Sequence, residues 1–440
     1  MNPKWLLAAL AGLFFVTAAF YSFVTPAWEA PDEAGHFAYV LHLRRTGALP
    51  IQKVDGVDAA HHVPLYYLLA SAATLPVPVA DLTTTFATNF HFMWHGHGND
   101  VNLVIHTDAE RFPFGPAARF LHLARLASVA MATATIIFIV LTGWEIFPEW
   151  PTIGLLAGAL TAFNPQFLFI SGAINNDNLL ALACTGVIWH MMRTLRRMEA
   201  WRNWLQLGLW LTVGALAKIS GLVLLGWTGI ILAADAFYRR SWRSFWQRLL
   251  AMVAPIAVGT SWWFIRNQQL YGDPLGWKTY RSLFMNNARV TPLTLADLQN
   301  FFTTQFRTFW GYFGWMNVPA PDWLYVGALL LCVGGLIGLL AYLALRFGSL
   351  PKRQKAALAS LGLLIVLYES YMLWSIRTFD GSWYQGRYLF GLMAAFSILL
   401  SLGLHSLFAF RRPRLLAAVV AASMFAVALY IPVFVIGPAY

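Results

Sequence analysis

Apolar runs of about 18 to 25 residues recur from one end of the chain to the other, and each is long enough to cross a hydrocarbon core of about 30 Å. The pattern predicts helices over residues 5–24, 118–142, 152–171, 178–195, 203–217, 219–237, 248–265, 323–345, 356–376, 387–408 and 414–437. About eleven crossings follow. In lipid every backbone polar group must be satisfied within its own segment, so the expected fold is an all-α integral membrane protein, one polytopic domain over 1–440. The first run lies behind Lys4, is long, and lacks a small-residue cleavage site, so it reads as a retained span rather than a signal peptide.

Two connections are long: residues 25–117 and 266–322. The first holds "VPLYYLLASAATLPVPV", short for a span and interrupted by Pro76 and Pro78, which reads as interfacial or re-entrant helix. Composition agrees with the pattern: 59% of the 440 residues are hydrophobic and 11% charged, against roughly 25% charged in soluble domains. The net charge of +11 would suggest nucleic acid in a soluble protein. Here the positives sit in alternate short turns, around 193–202, 239–248, 346–355 and 411–414. The positive-inside rule makes those turns cytoplasmic, puts the N-terminus with them, and leaves no call for a nucleic-acid partner. Both long connections then face the extracytoplasmic side of a cytoplasmic membrane. Trp and Tyr near span ends form an aromatic belt at the lipid headgroups. Cys184 and Cys332 lie inside predicted spans, so neither a disulfide framework nor a thiol metal site is expected.

The same topology gathers the polar chemistry on one face. "PDEAGHF" opens the first long connection, and "HHVPLYYLL" follows within it. "SGAINNDNLL", "LAKISGL", "WFIRNQQLYGDPLGW" and "DGSWYQGRYLF" bring Asp177, Lys218, Arg266 with Asp273, and Asp380 with Arg387 to the same side. Ionisable groups beside hydrocarbon are costly and normally face a cavity or a partner. Acids opposite Lys and Arg suit a substrate with a phosphate head and a lipid tail. The cations hold the phosphate; a carboxylate takes the proton of an attacking hydroxyl. No nucleotide sugar is ordinarily present outside the cytoplasmic membrane, so the expected donor is a polyprenyl-phosphate-linked sugar. The acceptor would be a hydroxyl-bearing glycan, lipid or protein, and a single displacement would invert the anomeric centre.

These motifs resemble the polytopic GT-C glycosyltransferases, the superfamily of the protein O-mannosyltransferases and the lipid A aminoarabinose transferases. An acidic pair opening the first outer loop is carried here by Asp32 and Glu33, and a "PPLYY"-like interfacial helix by Pro64, Tyr66 and Tyr67. "RNQQLYGDPLG" and "QGRYLF" resemble a less characterised bacterial branch, and the likeness runs from about residue 26 to 395. It implies a GT-C-like bundle and makes Asp32 and Glu33 the catalytic acids, with Asp32 first as base. Asp177 becomes the second outer acid, serving the site or a metal, and Lys218 and Arg387 become cations at the donor phosphate. Where relatives have two prolines before "LYY", this chain has Val63 and Pro64 behind His61 and His62, which join the Tyr66/Tyr67 helix as candidate donor contacts.

Each candidate has a plainer alternative. Pro31, Asp32 and Glu33 suit a helix start. His36 shares a helical face with both acids, either orienting a carboxylate or completing a divalent-metal triad. Asp177 could cap a helix, and Lys218, Arg266 and Arg387 could reach lipid headgroups. His91, His95 and His97 read as surface histidines. The rival functions are a transporter or flippase, which needs polar groups along the crossing, where Glu369 is the main mid-span acid, and a ligase of lipid-linked glycans, which uses a diphosphate donor.

Overall fold

A computed structural model describes every residue except 1, 55, 81, 83–86, 96–97, 285–288, 290 and 379–383, so His97 and Asp380 lie outside the described residues. The principal helices are α1 (Pro3–Val24), α2 (Glu33–Thr46), α3 (Leu65–Ala73), α4 (Pro116–Ile146), α5 (Pro151–Ala162), α6 (Pro165–Ser171), α7 (Asp177–Thr194) and α8 (Trp201–Ala217). They continue as α9 (Val223–Arg239), α10 (Trp242–Tyr271), α11 (Trp277–Phe284), α12 (Leu295–Trp310), α13 (Asp322–Arg346), α14 (Lys352–Thr378), α15 (Met393–Leu407) and α16 (Pro413–Ile431). A two-stranded hairpin, β1 (Tyr312–Phe313) and β2 (Val318–Pro319), sits between α12 and α13.

Every apolar run anticipated from the sequence is helical. By length and apolarity, eight helices among the described residues suffice for a span, or nine when the bent pair α5–α6 counts as one, rather than eleven. The difference lies in α7 and α8. They have 18 and 17 residues, and α7 carries Asp177, His190 and Arg193. The 152–171 run is not a continuous helix: Asn164 and Pro165 break it with a 66° bend. Asn164 accepts the Phe167 N–H at 2.9 Å as the cap of α6 and donates to the Phe309 carbonyl at 3.1 Å. Proline at the first position, where no N–H is needed, starts α1, α4, α5, α6 and α16.

The bundle is a chain of helix neighbours: α1 and α7 against α4, α8 against α7 and α10, and α15 against α5 and α13. Where α13 crosses α15, Gly338 lies against the Gly403 carbonyl with no room for a Cβ. Small residues allow this approach, which supplies packing where the hydrophobic effect between lipid-embedded helices is weak.

Ion pairs identify the two ends. At one end Arg196 and Arg353 both bind Glu145 at 2.5 Å, and Arg239 binds Glu199 at 2.7 Å. This is the end with the basic turns, and its contacts explain how the turn at 143–151, which has no positive residue of its own, is balanced. The long connections meet at the other end. There α3 is only nine residues, roughly 13 Å at 1.5 Å per residue, well short of a crossing.

Candidate active site

The site is built at the junction of α1 and α2. Trp28 and Asp32 both adopt left-handed φ of 64°, a conformation that Asp tolerates better than most residues. The turn at Asp32 starts α2 and sends the two neighbouring carboxylates in different directions. Glu33 points into the bundle and is completely buried. It accepts Arg125 Nε at 2.8 Å and Nη2 at 2.5 Å, along with the backbone N–H groups of Trp28 at 3.1 Å and Ile174 at 2.9 Å. Arg125, equally buried in α4, also donates to the carbonyls of Ser22, Thr25 and Pro26 at 2.6 to 2.8 Å. This network satisfies the orphan carbonyls at the end of α1 and locks α1, α2, α4 and the turn before α7 together. Glu33 does not line the cavity, whereas Asp32 does.

Asp32 points the other way, into a cavity of about 810 Å³ at the loop end of the bundle. Its side chain is 49% exposed to that cavity, while one oxygen meets Arg387 Nη2 at 2.5 Å. Surrounding protein would push the carboxyl up, but Arg387, His36 and Lys218 outweigh that and hold it below the usual carboxylate value. Arg387 is placed by its neighbour Gly386, which is pressed so closely on α12, at Gln305 and Phe309, that a Cβ would overlap backbone. The Gly386 N–H donates to Thr308 Oγ1 at 2.6 Å.

Across the cavity, Asp177 begins α7. Its N–H is held by Asn175 Oδ1 at 2.8 Å, Asn176 occupies the N-cap position, and the Asp177 carboxylate meets Lys218 Nζ at 2.5 Å. Lys218 lies in the extended break after α8, and its ammonium is 4.8 Å from the centre of the Tyr388 ring. Burial lowers its affinity for a proton, but the Asp177 charge more than restores it, so the group is firmly cationic. Asp177 Oδ2 and Arg387 Nε and Nη1 are buried without a hydrogen-bond partner among the described residues.

His36, His61 and His62 complete one wall. The His36 Nδ1 pairs with the Tyr67 hydroxyl at 2.7 Å, and the His61 and His62 rings lie 3.9 Å apart. Burial holds His36 and His61 to about 4 and His62 well below its ordinary value, so all three are neutral at neutral pH. They shape the cavity without adding charge.

Other expected contacts lie elsewhere. Tyr67 stands behind His36 and stacks on Tyr39 at 3.8 Å, and Tyr66 is turned into the core with its hydroxyl on Ser128 at 2.7 Å. Neither lines the cavity. Arg266 is occupied in pinning the first long connection, donating to the carbonyls of Pro50 at 2.8 Å and Leu49 at 3.3 Å. A metal triad at Asp32, Glu33 and His36 does not fit: the first is turned to Arg387, the second spent on Arg125, the third paired with Tyr67. Among the described residues no group of three or more His, Cys, Asp or Glu side chains converges on a metal position.

Several contributors were missed in the sequence. Arg125 is an ionisable residue inside an apolar run, a signal that by itself calls for a buried partner. Glu29, just before the acidic pair, is buried and accepts the N–H groups of Leu103 at 3.0 Å and Val104 at 3.1 Å, folding the far part of the first connection back onto the site. Gln52 and Asp58 reach the cavity from the first long connection, Tyr280 from α11 and Tyr388 from the helical turn that precedes α15, placements that no periodicity reveals.

A family model described as dolichyl-phosphate-mannose-protein mannosyltransferase matches residues 121–264. The crystal structure of ArnT from Cupriavidus metallidurans bound to undecaprenyl phosphate aligns with a TM-score of 0.55 and 14% identity, covering 100% of this chain and 74% of that one. AglB from Archaeoglobus fulgidus, in complex with an inhibitory peptide and a dolichol-phosphate, gives 0.49 and 14% identity, covering 99% of this chain and 55% of its own. The S. cerevisiae protein O-mannosyltransferase Pmt1–Pmt2 complex bound to the sugar donor gives 0.42 and 17%, with 64% of this chain covered. This chain spans 34% of the length of that yeast protein. No curated protein matches the sequence. The family match covers about a third of the chain, and the ArnT alignment shows a shared fold. The protein is a multi-pass membrane protein with that fold.

Proposed function

We propose that the protein is an inverting glycosyltransferase that moves a sugar from a polyprenyl phosphate to a hydroxyl acceptor on the extracytoplasmic face of the cytoplasmic membrane. The observation that carries this reading is the Asp32–Arg387 pair facing the Asp177–Lys218 pair within one cavity. The orientation rests on the basic turns, all at the opposite end of the bundle, which the positive-inside rule assigns to the cytoplasm.

In this reading the donor phosphate takes the unpartnered N–H groups of Arg387 and the ammonium of Lys218. Tyr368, Tyr371, Met372 and Ser375, on one face of α14, offer the lipid chain an apolar wall. The acceptor oxygen attacks the anomeric carbon as its proton passes to the Asp32 carboxylate. The bond from that carbon to the phosphate oxygen breaks, and the electron pair leaves on the lipid phosphate, held by the two cations. Once the phosphate shares the Arg387 charge, the hold on Asp32 weakens and the carboxylate becomes a stronger base. Donor binding thus readies the base. Each cation already faces one acid, so the added single charge of a monophosphate is matched better than the double charge of a diphosphate. Glu369 is engaged by Gln305 at 3.2 Å and offers no stepping stone for a flippase path.

The test is the purified protein in proteoliposomes with radiolabelled polyprenyl monophosphate and diphosphate sugars and hydroxyl acceptors. The expected result is a product of inverted anomeric configuration with release of polyprenyl phosphate. Transfer from diphosphate donors alone would replace this reading with the ligase.

A further inference from the structure

A second cavity of about 190 Å³ adjoins the first, walled among the described residues by 52–54, 56–58, Ala60 and Leu283 of α11. Gln52 and Asp58 border both. The Gln52 backbone is fixed by the Tyr271 hydroxyl, which accepts its N–H at 3.0 Å, and its side-chain amide packs against Gly276, whose φ of +65° lets the chain pass so closely. The side chain is only 7% exposed, yet its Oε1 has no hydrogen-bond partner among the described residues. Buried amide oxygens are nearly always paired, so this acceptor marks a place for the hydroxyl of a ligand. Among the described wall residues Lys53 and Asp58 contribute one charge of each sign, which suits a neutral polar group rather than a phosphate.

Position gives the chamber its meaning. The unpartnered cation groups belong to Arg387, beside Asp177 and Lys218. From the chamber, the path back to the base runs through His61, whose Nδ1 meets the Asp58 carbonyl at 3.1 Å, then His62, 3.9 Å away ring to ring, then His36, 5.4 Å beyond. His36 is one turn along α2 from Asp32. A single displacement requires the incoming hydroxyl and the leaving phosphate on opposite sides of the anomeric carbon, and the chamber lies beyond the histidines from the phosphate pole. We propose that this side chamber is an acceptor subsite that binds a neutral sugar unit, so that the acceptor is a glycan and Gln52 a specificity-determining residue. The assignment of acceptor rests on the glycosyltransferase reading above; the sugar-binding property does not.

The test reads binding without donor: saturation-transfer NMR of methyl glycosides of glucose, galactose, mannose and arabinose with the full-length protein in nanodiscs. We expect ring-proton saturation in the wild type and about tenfold or greater weakening in Gln52→Leu, the worth of one lost hydrogen bond to a buried group. Arg239→Gln, at the opposite end of the bundle, should bind within about twofold of wild type. Gln52→Asn keeps the backbone anchor, withdraws the amide oxygen, and should show the same loss even if the Leu variant does not fold. Absence of saturation in the wild type, wild-type binding in Gln52→Asn, or equal loss in Arg239→Gln would each overturn the chamber. A wild type that binds glycosides but transfers from no lipid-linked donor would instead sink the enzyme reading and leave the sugar site standing.

Discussion

Replacing Glu33 by Gln should harm the fold, whereas replacing its neighbour Asp32 by Asn should harm the chemistry. Glu33 receives four hydrogen bonds, two from Arg125 and two from backbone N–H groups, at a site closed to solvent. The amide can no longer accept on its nitrogen and leaves the Arg125 charge uncompensated. Breaking a buried pair from one side costs about 3–5 kcal/mol, or a fall of about 3–5 °C in melting temperature for a chain of this size. Asp32 is half open to the cavity, so its pair with Arg387 contributes only about 1 kcal/mol or less. Removing a general base, by contrast, costs about 10²–10⁴ in rate. Both variants are measured in one membrane preparation, by intrinsic tryptophan fluorescence on heating and by sugar transfer at a temperature where each is folded. The reasoning is refuted if Glu33→Gln melts with the wild type while losing transfer, because Glu33 would then be part of the chemistry.

Because Asp32 is held below the usual carboxylate value, its base form persists above that lowered value. Activity should therefore hold through mild acid and fall only below the ordinary carboxylate range, and in Arg387→Gln the acid limb of kcat/KM should move up. Lys218→Met leaves Asp177 unpaired at the phosphate pole and should weaken donor binding by about tenfold or more with little change in glycoside binding, which equilibrium binding of polyprenyl phosphate would check. Arg266→Ala should leave donor affinity alone and speed limited proteolysis in the first long connection. His106 is lowered by burial but raised more by Glu110 and Glu29, to about 9. Its contribution to stability is complete below its ordinary value and lost as pH rises through about 9, so apparent melting temperature should fall across that window and the fall should be absent in His106→Gln.

The helices were legible because apolar runs of spanning length have few alternatives in a membrane, and the end that carries the site was legible because charges cluster by side. The break at Asn164 and Pro165 went unread, since the run 152–171 is predominantly apolar and reads as one span. The separation of Asp32 from Glu33 was not legible. It depends on a left-handed turn at Asp32 and on a partner for Glu33, Arg125 in α4, that is remote in sequence and absent from the local pattern of either acid. Tyr66 and Arg266 were misjudged for a related reason, since a hydroxyl or guanidinium shown by topology to lie at the correct end can still be spent on Ser128 or on the carbonyls of Leu49 and Pro50.

The central claim is that Asp32 takes the proton of the acceptor while Arg387 and Lys218 hold the leaving phosphate. Single-turnover transfer from a radiolabelled polyprenyl-phosphate sugar, wild type beside Asp32→Asn with donor saturating, tests it most directly. The account predicts donor bound to both and a rate about 10²–10⁴ lower in the variant; equal rates would contradict it.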